Sequence, residues 1–275
     1  MNKLFELFPG AKLGIARVSP IRAGVPAPTN HTAGFTGNGA MKGGFMKKLG
    51  FSSFILCAAF TLCPAATAQA QTTVDLGSAG KFAVLAGTTV TNTGHSIING
   101  DLGVWPGTAV TGFGPGVVNG TIHAGDTAAQ HAQASLTIAY NDAAGRTVDV
   151  RGVAGDLGGV TLTPGLYKST STLAITGHLT LAGKGVYIFQ IASGLTVNNS
   201  SGIVLSGGAS AADIFWQVGS SATLGTKSDL KGTILALTSI SIATGGTLDG
   251  RALARNGAVT LQTNTVTIPT VQKSH

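Results

Sequence analysis

The chain has 275 residues, a formal net charge of +7, 43% apolar residues and two cysteines. The charge belongs to one end: residues 1–70 hold seven basic residues and one acid, Glu6, whereas residues 71–275 hold ten basic and nine acidic ones, a balance of 10 − 9 = +1. A basic surface for nucleic acid or membrane is thereby excluded for the body of the chain, and thirty threonines with no glutamate after residue 70 exclude a mostly helical exterior.

In chain order, residues 1–45 are rich in Gly, Pro and Ala and lack periodicity. They read as a disordered extension, or as the product of a start placed too far upstream, with Met41 or Met46 the true start. Lys47 and Lys48 then precede the apolar run "LGFSSFILCAAFTLC" and the small-residue stretch "PAATAQAQ", so residues 46–70 form a secretory signal peptide cut after Ala70. The run is shorter than the roughly 20 apolar residues of a comfortable membrane span, so the mature chain is expected outside the cell or in the periplasm, free of membrane. Both cysteines, Cys57 and Cys63, fall in that run. Residues 71–275 must hold together by burial and backbone hydrogen bonds, as one domain.

"FAVLAGTTVTNTG" (82–94) reads as strand, and the Gly- and Pro-rich stretch 100–121 as an irregular cap whose Trp105 and Phe113 plug an end. Residues 126–146 break the pattern as a helix: Thr127 and Gln130 have capping-box spacing, and Gly145 is a stop signal. Ala129, Ala132, Leu136, Ala139, Tyr140 and Ala143 give it an apolar stripe at helical spacing, expected to pack along the β-core.

Beyond the helix the sequence repeats. "ASGLTV" (192–197), "GSSATL" (219–224), "TSISI" (238–242) and "GAVTL" (257–261) align Thr196, Thr223, Ser241 and Thr260 in one column. A second set, "YIFQI", "DIFWQV", "TILAL" and "RALAR", recurs between them. Each repeat is two or three short strands joined by Gly, Ser, Asn and Asp corners, which is one coil of an irregular β-solenoid.

The residues offer little for covalent chemistry. Asp101, Asp156, Asp213, Asp229 and Asp249 adjoin turn-forming or small residues, where aspartate stabilises corners, and no glutamate is present to pair with them. The histidines lack metal-ligand spacing, and neither a nucleophile elbow nor a phosphate loop occurs. A non-enzyme without metal or cofactor is expected, acting as a monomer. The threonines are the distinctive feature. Alternation turns their apolar neighbours inward and the threonines outward, and stacking adds Thr89 and Thr180 to the column above. A second column follows at Asn92, Asn199, Thr226, Thr244 and Thr263. Stiff, uncharged hydroxyl and methyl groups about 4.8 Å apart suit a partner that is itself a flat hydrogen-bonding lattice, such as ice.

"FWQVGSSATLGT", "GTILA" and "GRALA", with "FAVLAGTTVTNTG" and "INGDLGVWPG" ahead of the helix, resemble the microbial ice-binding (antifreeze) family built on domain of unknown function 3494, over residues 75–269. The resemblance implies an irregular right-handed β-helix of triangular section with one long helix alongside. It also implies an ice surface as partner, bound through one flat β-face, so that ice growth and recrystallisation are inhibited. The family's T-A/G-x-T/N pattern is matched only at its outer positions, by Thr223 and Thr226, Thr260 and Thr263, Thr196 and Asn199, and Thr89 and Asn92, with Ser241 and Thr244 a variant. The neighbouring face, carrying Ser206, Lys231 and Asp249, remains an alternative. An adhesin-like module attaching cells to ice or matrix, and a carbohydrate-processing β-helix, are the rival functions.

Overall fold

Short strands rich in Val, Ile, Leu and Thr, punctuated by Gly, cannot bury both faces alone and so stack. In a computed structural model, which describes residues 70–270, they form eight coils joined by parallel pairing, with one helix, α1 (Thr127–Gly145), alongside. The expected signal peptide and the extension before it lie outside the described residues, apart from Ala70. The coils, in chain order, are 82–99, 101–118, 150–162, 165–182, 187–206, 214–231, 233–249 and 251–267, here coils 1 to 8. Each lends a strand to three faces, in agreement with the expected three-sided solenoid.

The stacking order departs from chain order. Coil 8 pairs with coil 1 through Val84 and Ala252, Thr91 and Thr260, and Val266 and Ile98. The spatial order is therefore 2-1-8-7-6-5-4-3, and the stretch expected to be an irregular cap is a full coil at one end of the stack. Its Phe113 does pack, half-buried, against the main core. A hairpin-free stack needs this parallel order, because each coil enters every face in the same direction.

The helix face is buried from both sides. Its strands read as nearly continuous apolar runs interrupted by one glutamine, such as Tyr187–Ile191 and Ile214–Val218, with every residue buried. Inward, Tyr167, Phe189 and Trp216 lie in register in successive coils, their ring centroids 5.2 and 4.0 Å apart. Outward, Leu85, Leu253, Leu235, Phe215, Ile188 and Leu166 meet Ala132, Leu136, Ala139, Tyr140 and Ala143 of α1. All six residues of the expected helical stripe are buried. At about 1.5 Å per residue, the 19 residues of α1 reach about 28 Å, enough to cover six coils. The N-cap is Asp126, one residue before the expected Thr127, because its carboxylate is the group that accepts the Ala129 amide, at 2.9 Å.

Candidate functional site

With one face under α1, two remain open. On the second, the strands Thr89–Thr93, Ala109–Thr111, Gly155–Asp156, Leu173–Ile175, Leu195–Val197, Ala222–Leu224, Ile240–Ile242 and Val259–Gln262 form an eight-stranded parallel sheet. Its register aligns Thr111, Thr91, Thr260, Ser241, Thr223 and Thr196 in one row, continued by Ala174 and Asp156. Inward neighbours such as Ala222, Leu224, Ile240, Ile242, Val259 and Leu261 are buried, which fixes these six side chains outward. At the spacing of paired strands, the six cover about 24 Å. Asp156, at the far end of the stack, is the single charged residue on these strands. The Thr176 hydroxyl, followed by the Gly158 and Thr176 amides, holds its carboxyl below the ordinary range.

A corner of uniform backbone bounds this face. Gly177, Ser200, Lys227, Gly245, Thr263, Gly94 and Gly112 all take the left-handed conformation, with φ between 52° and 79°. At Gly112 a β carbon would also come within 1.8 Å of the Asn92 carbonyl oxygen, so glycine is required by both conformation and approach. Asn199, Thr226, Thr244 and Thr263 gather along this corner in successive coils, all exposed. The Thr226 amide donates to Asn199 Oδ1 at 2.8 Å, the Lys227 amide to the Thr244 carbonyl at 3.0 Å, and the Gly245 amide to the Thr263 carbonyl at 3.1 Å. Asn199, Thr226 and Thr244 form an edge row that Gln262 continues, whereas Thr263 is one residue out of register with them, in the left-handed place that Lys227 and Gly245 hold.

Three expected positions are corrected. Thr89 is on this face, but its partner is Ala109; Thr91 occupies the row with Thr260. Asn92 is 4% exposed, with its amide turned inward to the Gly94 and Gly112 carbonyls, so it is a corner-building residue. Thr180 belongs to the third face, opposite Val204 and Thr161, since "HLTLA" has the same alternation but lies on the next side of its coil. Thr91 and Thr111 were missed by spacing alone. Their signal was the approach of the chain to a left-handed glycine, at Gly94 and Gly112.

The third face differs in character. It carries His178, Asp229, Lys231 and Asp249, with Lys231 Nζ 2.9 Å from Asp229 Oδ1. Asp229 Oδ1 also accepts from the Thr247 hydroxyl at 2.8 Å, and Asp101 takes the Thr121 amide at 2.9 Å, which are corner-stabilising duties. Burial pushes the Asp213 carboxyl up. Among the described residues no group of three or more His, Cys, Asp and Glu is placed to hold a metal ion, and no helix is long and apolar enough to cross a membrane.

Known proteins share this fold. A family model described as ice-binding-like matches residues 84–267. The ice-binding protein of Nostoc sp. (strain HG1) is 49% identical over 206 residues, covering 72% of this chain and 76% of that protein. The one from Flavobacterium frigoris (strain PS1) is 42% identical over 212 residues, covering 71% and 76%. Among solved structures, an ice-binding protein from an Antarctic biological consortium superposes with a TM-score of 0.73 at 52% identity, covering 74% of this chain and 94% of that one. That of the Antarctic ascomycete Antarctomyces psychrotrophicus gives 0.70 at 41% identity, covering 73% and 100%.

Proposed function

From the premise that the chain belongs to the ice-binding-like family, we propose that it adsorbs to ice through the threonine face and so arrests ice growth and recrystallisation. The observation that carries this is the row Thr111, Thr91, Thr260, Ser241, Thr223 and Thr196: six outward hydroxyl-bearing side chains in strand register, with no lysine, arginine or glutamate among the strands around them. Asn199, Thr226, Thr244 and Thr263 extend the contact along the corner. Their backbone is fixed by parallel pairing, and β-branched side chains lose little freedom on contact, so a weak interaction per residue sums over a rigid array. Adsorption needs no nucleophile, metal or cofactor. The third face, with its Lys231–Asp229 pair, would instead hold strongly oriented water around charges.

The test is substitution at the centre of the row. Thr223→Tyr and Thr260→Tyr raise a ring above the plane, and recrystallisation inhibition should be lost while the melting temperature stays within a few degrees of the parent. Retained inhibition would move the contact to the third face. The chain acts, on this proposal, as a secreted monomer. The exported protein should begin at Gln71 by intact mass and elute as one chain on gel filtration; retention of the apolar run or a dimer mass would contradict this.

A further inference from the structure

The eight coils make seven steps along the stack, and at six of them the chain itself leads from one coil into the next. There the corner lengths set the register. The seventh step, between coil 1 and coil 8, has no such connection: the Asn264 amide meets Ser96 Oγ at 3.0 Å across 168 residues of sequence. It is also where the threonine row passes from Thr91 to Thr260. A slip of one residue at this seam would turn Thr91 inward and Asn92 outward.

Behind the seam is a buried polar cluster. Asn92, Ser96 and Asn264 are 4%, 0% and 1% exposed. Ser96 Oγ donates to Asn92 Oδ1 at 2.5 Å and receives the Asn264 amide. Asn92 Nδ2 reaches the Gly94 and Gly112 carbonyls at 2.8 and 2.9 Å, and Asn264 Nδ2 those of Ala243 and Gly246 at 2.7 and 3.2 Å. Three side chains thereby tie coils 2, 1, 8 and 7 together. At the same corner farther along, the equivalent buried residue is Gly246 in coil 7, Ser228 in coil 6 and Ser201 in coil 5; the Ser228 hydroxyl has no partner, and Ser201 Oγ accepts the Gly177 amide at 2.8 Å. The bond from the Asn264 amide to Ser96 Oγ crosses the unconnected step, and the others anchor its two ends, Ser96 to Asn92 and coil 2, Asn264 to coil 7.

We propose that Asn92, Ser96 and Asn264 are positioning residues of the threonine face, a buried clasp that holds Thr91 and Thr111 in register with Thr260 so that two separately built parts act as one surface. An apolar corner would tolerate slippage, whereas a satisfied polar network accepts one alignment. The proposal rests on the threonine face being the ice contact.

The test is a variant carrying Asn92→Ala and Ser96→Ala, assayed in the cold with circular dichroism confirming the folded state. Its lowest inhibitory concentration should rise about tenfold, because two of the row's six side chains leave a simultaneous contact. A Leu166→Ala control, matched for loss of melting temperature but remote from the seam, should keep the parent value. An Ile97→Cys/Thr265→Cys disulfide, joining register partners on the third face, should restore inhibition in the clasp variant. Parent-like inhibition without the clasp, or an equal loss in the Leu166→Ala control, would overturn the proposal. Ser96→Ala alone, which removes both links through its hydroxyl, serves in place of the double variant if that fails to fold. Thr223→Tyr in the same assay reports on the face itself: a silent clasp beside a damaging Thr223→Tyr overturns the clasp and leaves the face standing.

Discussion

Threonine places a methyl and a hydroxyl on one β carbon, and strand geometry leaves few rotamers open to it. On the row through Thr223 this makes each side chain a fixed element of a surface. Thr91 stands in the row as the register partner of Thr260, so the tyrosine series extends to it. Thr91→Tyr should weaken recrystallisation inhibition as Thr223→Tyr does, whereas Thr180→Tyr, on the third face, should leave it unchanged; the reverse ranking would reassign the faces. The four C-terminal members of the row were legible because their spacing repeats. Thr91 was not, for a physical reason: in "TTVTNTG" its inward neighbour is the polar Asn92, and apolar-in alternation has no way to foresee a buried asparagine that satisfies carbonyls. "HLTLA" misled in the opposite sense, since one alternation serves every side of a triangular coil.

At the scale of elements, α1 is joined to the sheet by more than its alanines. Gln190 Nε2 donates to the Ala143 and Arg146 carbonyls, each at 2.8 Å, and so supplies donors that the last turn of a helix lacks within itself. Gln217 Nε2 reaches the Tyr140 hydroxyl at 2.9 Å, and Gln133 Nε2 the Ala254 carbonyl at 3.1 Å. Gln190→Met keeps the volume and strips the donors, and should cost about 1–3 kcal/mol in urea unfolding, the penalty for orphaned buried carbonyls. An unchanged midpoint would show that water reaches that turn. At the other end the Ala129 amide, and next the His123 side chain, hold the Asp126 carboxyl below its ordinary range. Its support of the helix start is present above that range and lost as pH falls through the lower folded value. The apolar stripe of α1 was plain in the sequence. These glutamines were not, since a glutamine inside "YIFQI" carries no sign of facing a helix end.

Across the whole molecule, stability rests on a core that runs the length of the stack, in which Tyr187 is fully buried with its hydroxyl donating to the Gly183 carbonyl at 2.9 Å. Burial first, and then Tyr167, push its phenol up from 10.0 to about 12. An acid whose folded value is raised stays protonated while the unfolded chain ionises, so stability should fall as pH rises from about 10 to about 12. Tyr187→Phe should flatten that decline in denaturant titrations; an equally steep decline would place the titrating group elsewhere. The coiled plan was visible in the recurring corners, and its three sides were implied by the family resemblance. The stacking order was not, because no local pattern records that the first coil pairs with the last.

That order has a temporal side. A chain emerging from a ribosome or an export channel can wind coils 3 to 7 as they appear, but coil 1 must wait with one edge unpaired for a neighbour more than 150 residues away. Until that late arrival docks, the proposed threonine array exists only as two fragments, one with Thr111 and Thr91 and one with Thr260, Ser241, Thr223 and Thr196. Synthesis has to be all but finished before the proposed surface is whole, so a product truncated before coil 8 should act on a freezing medium only at markedly higher concentration than the parent.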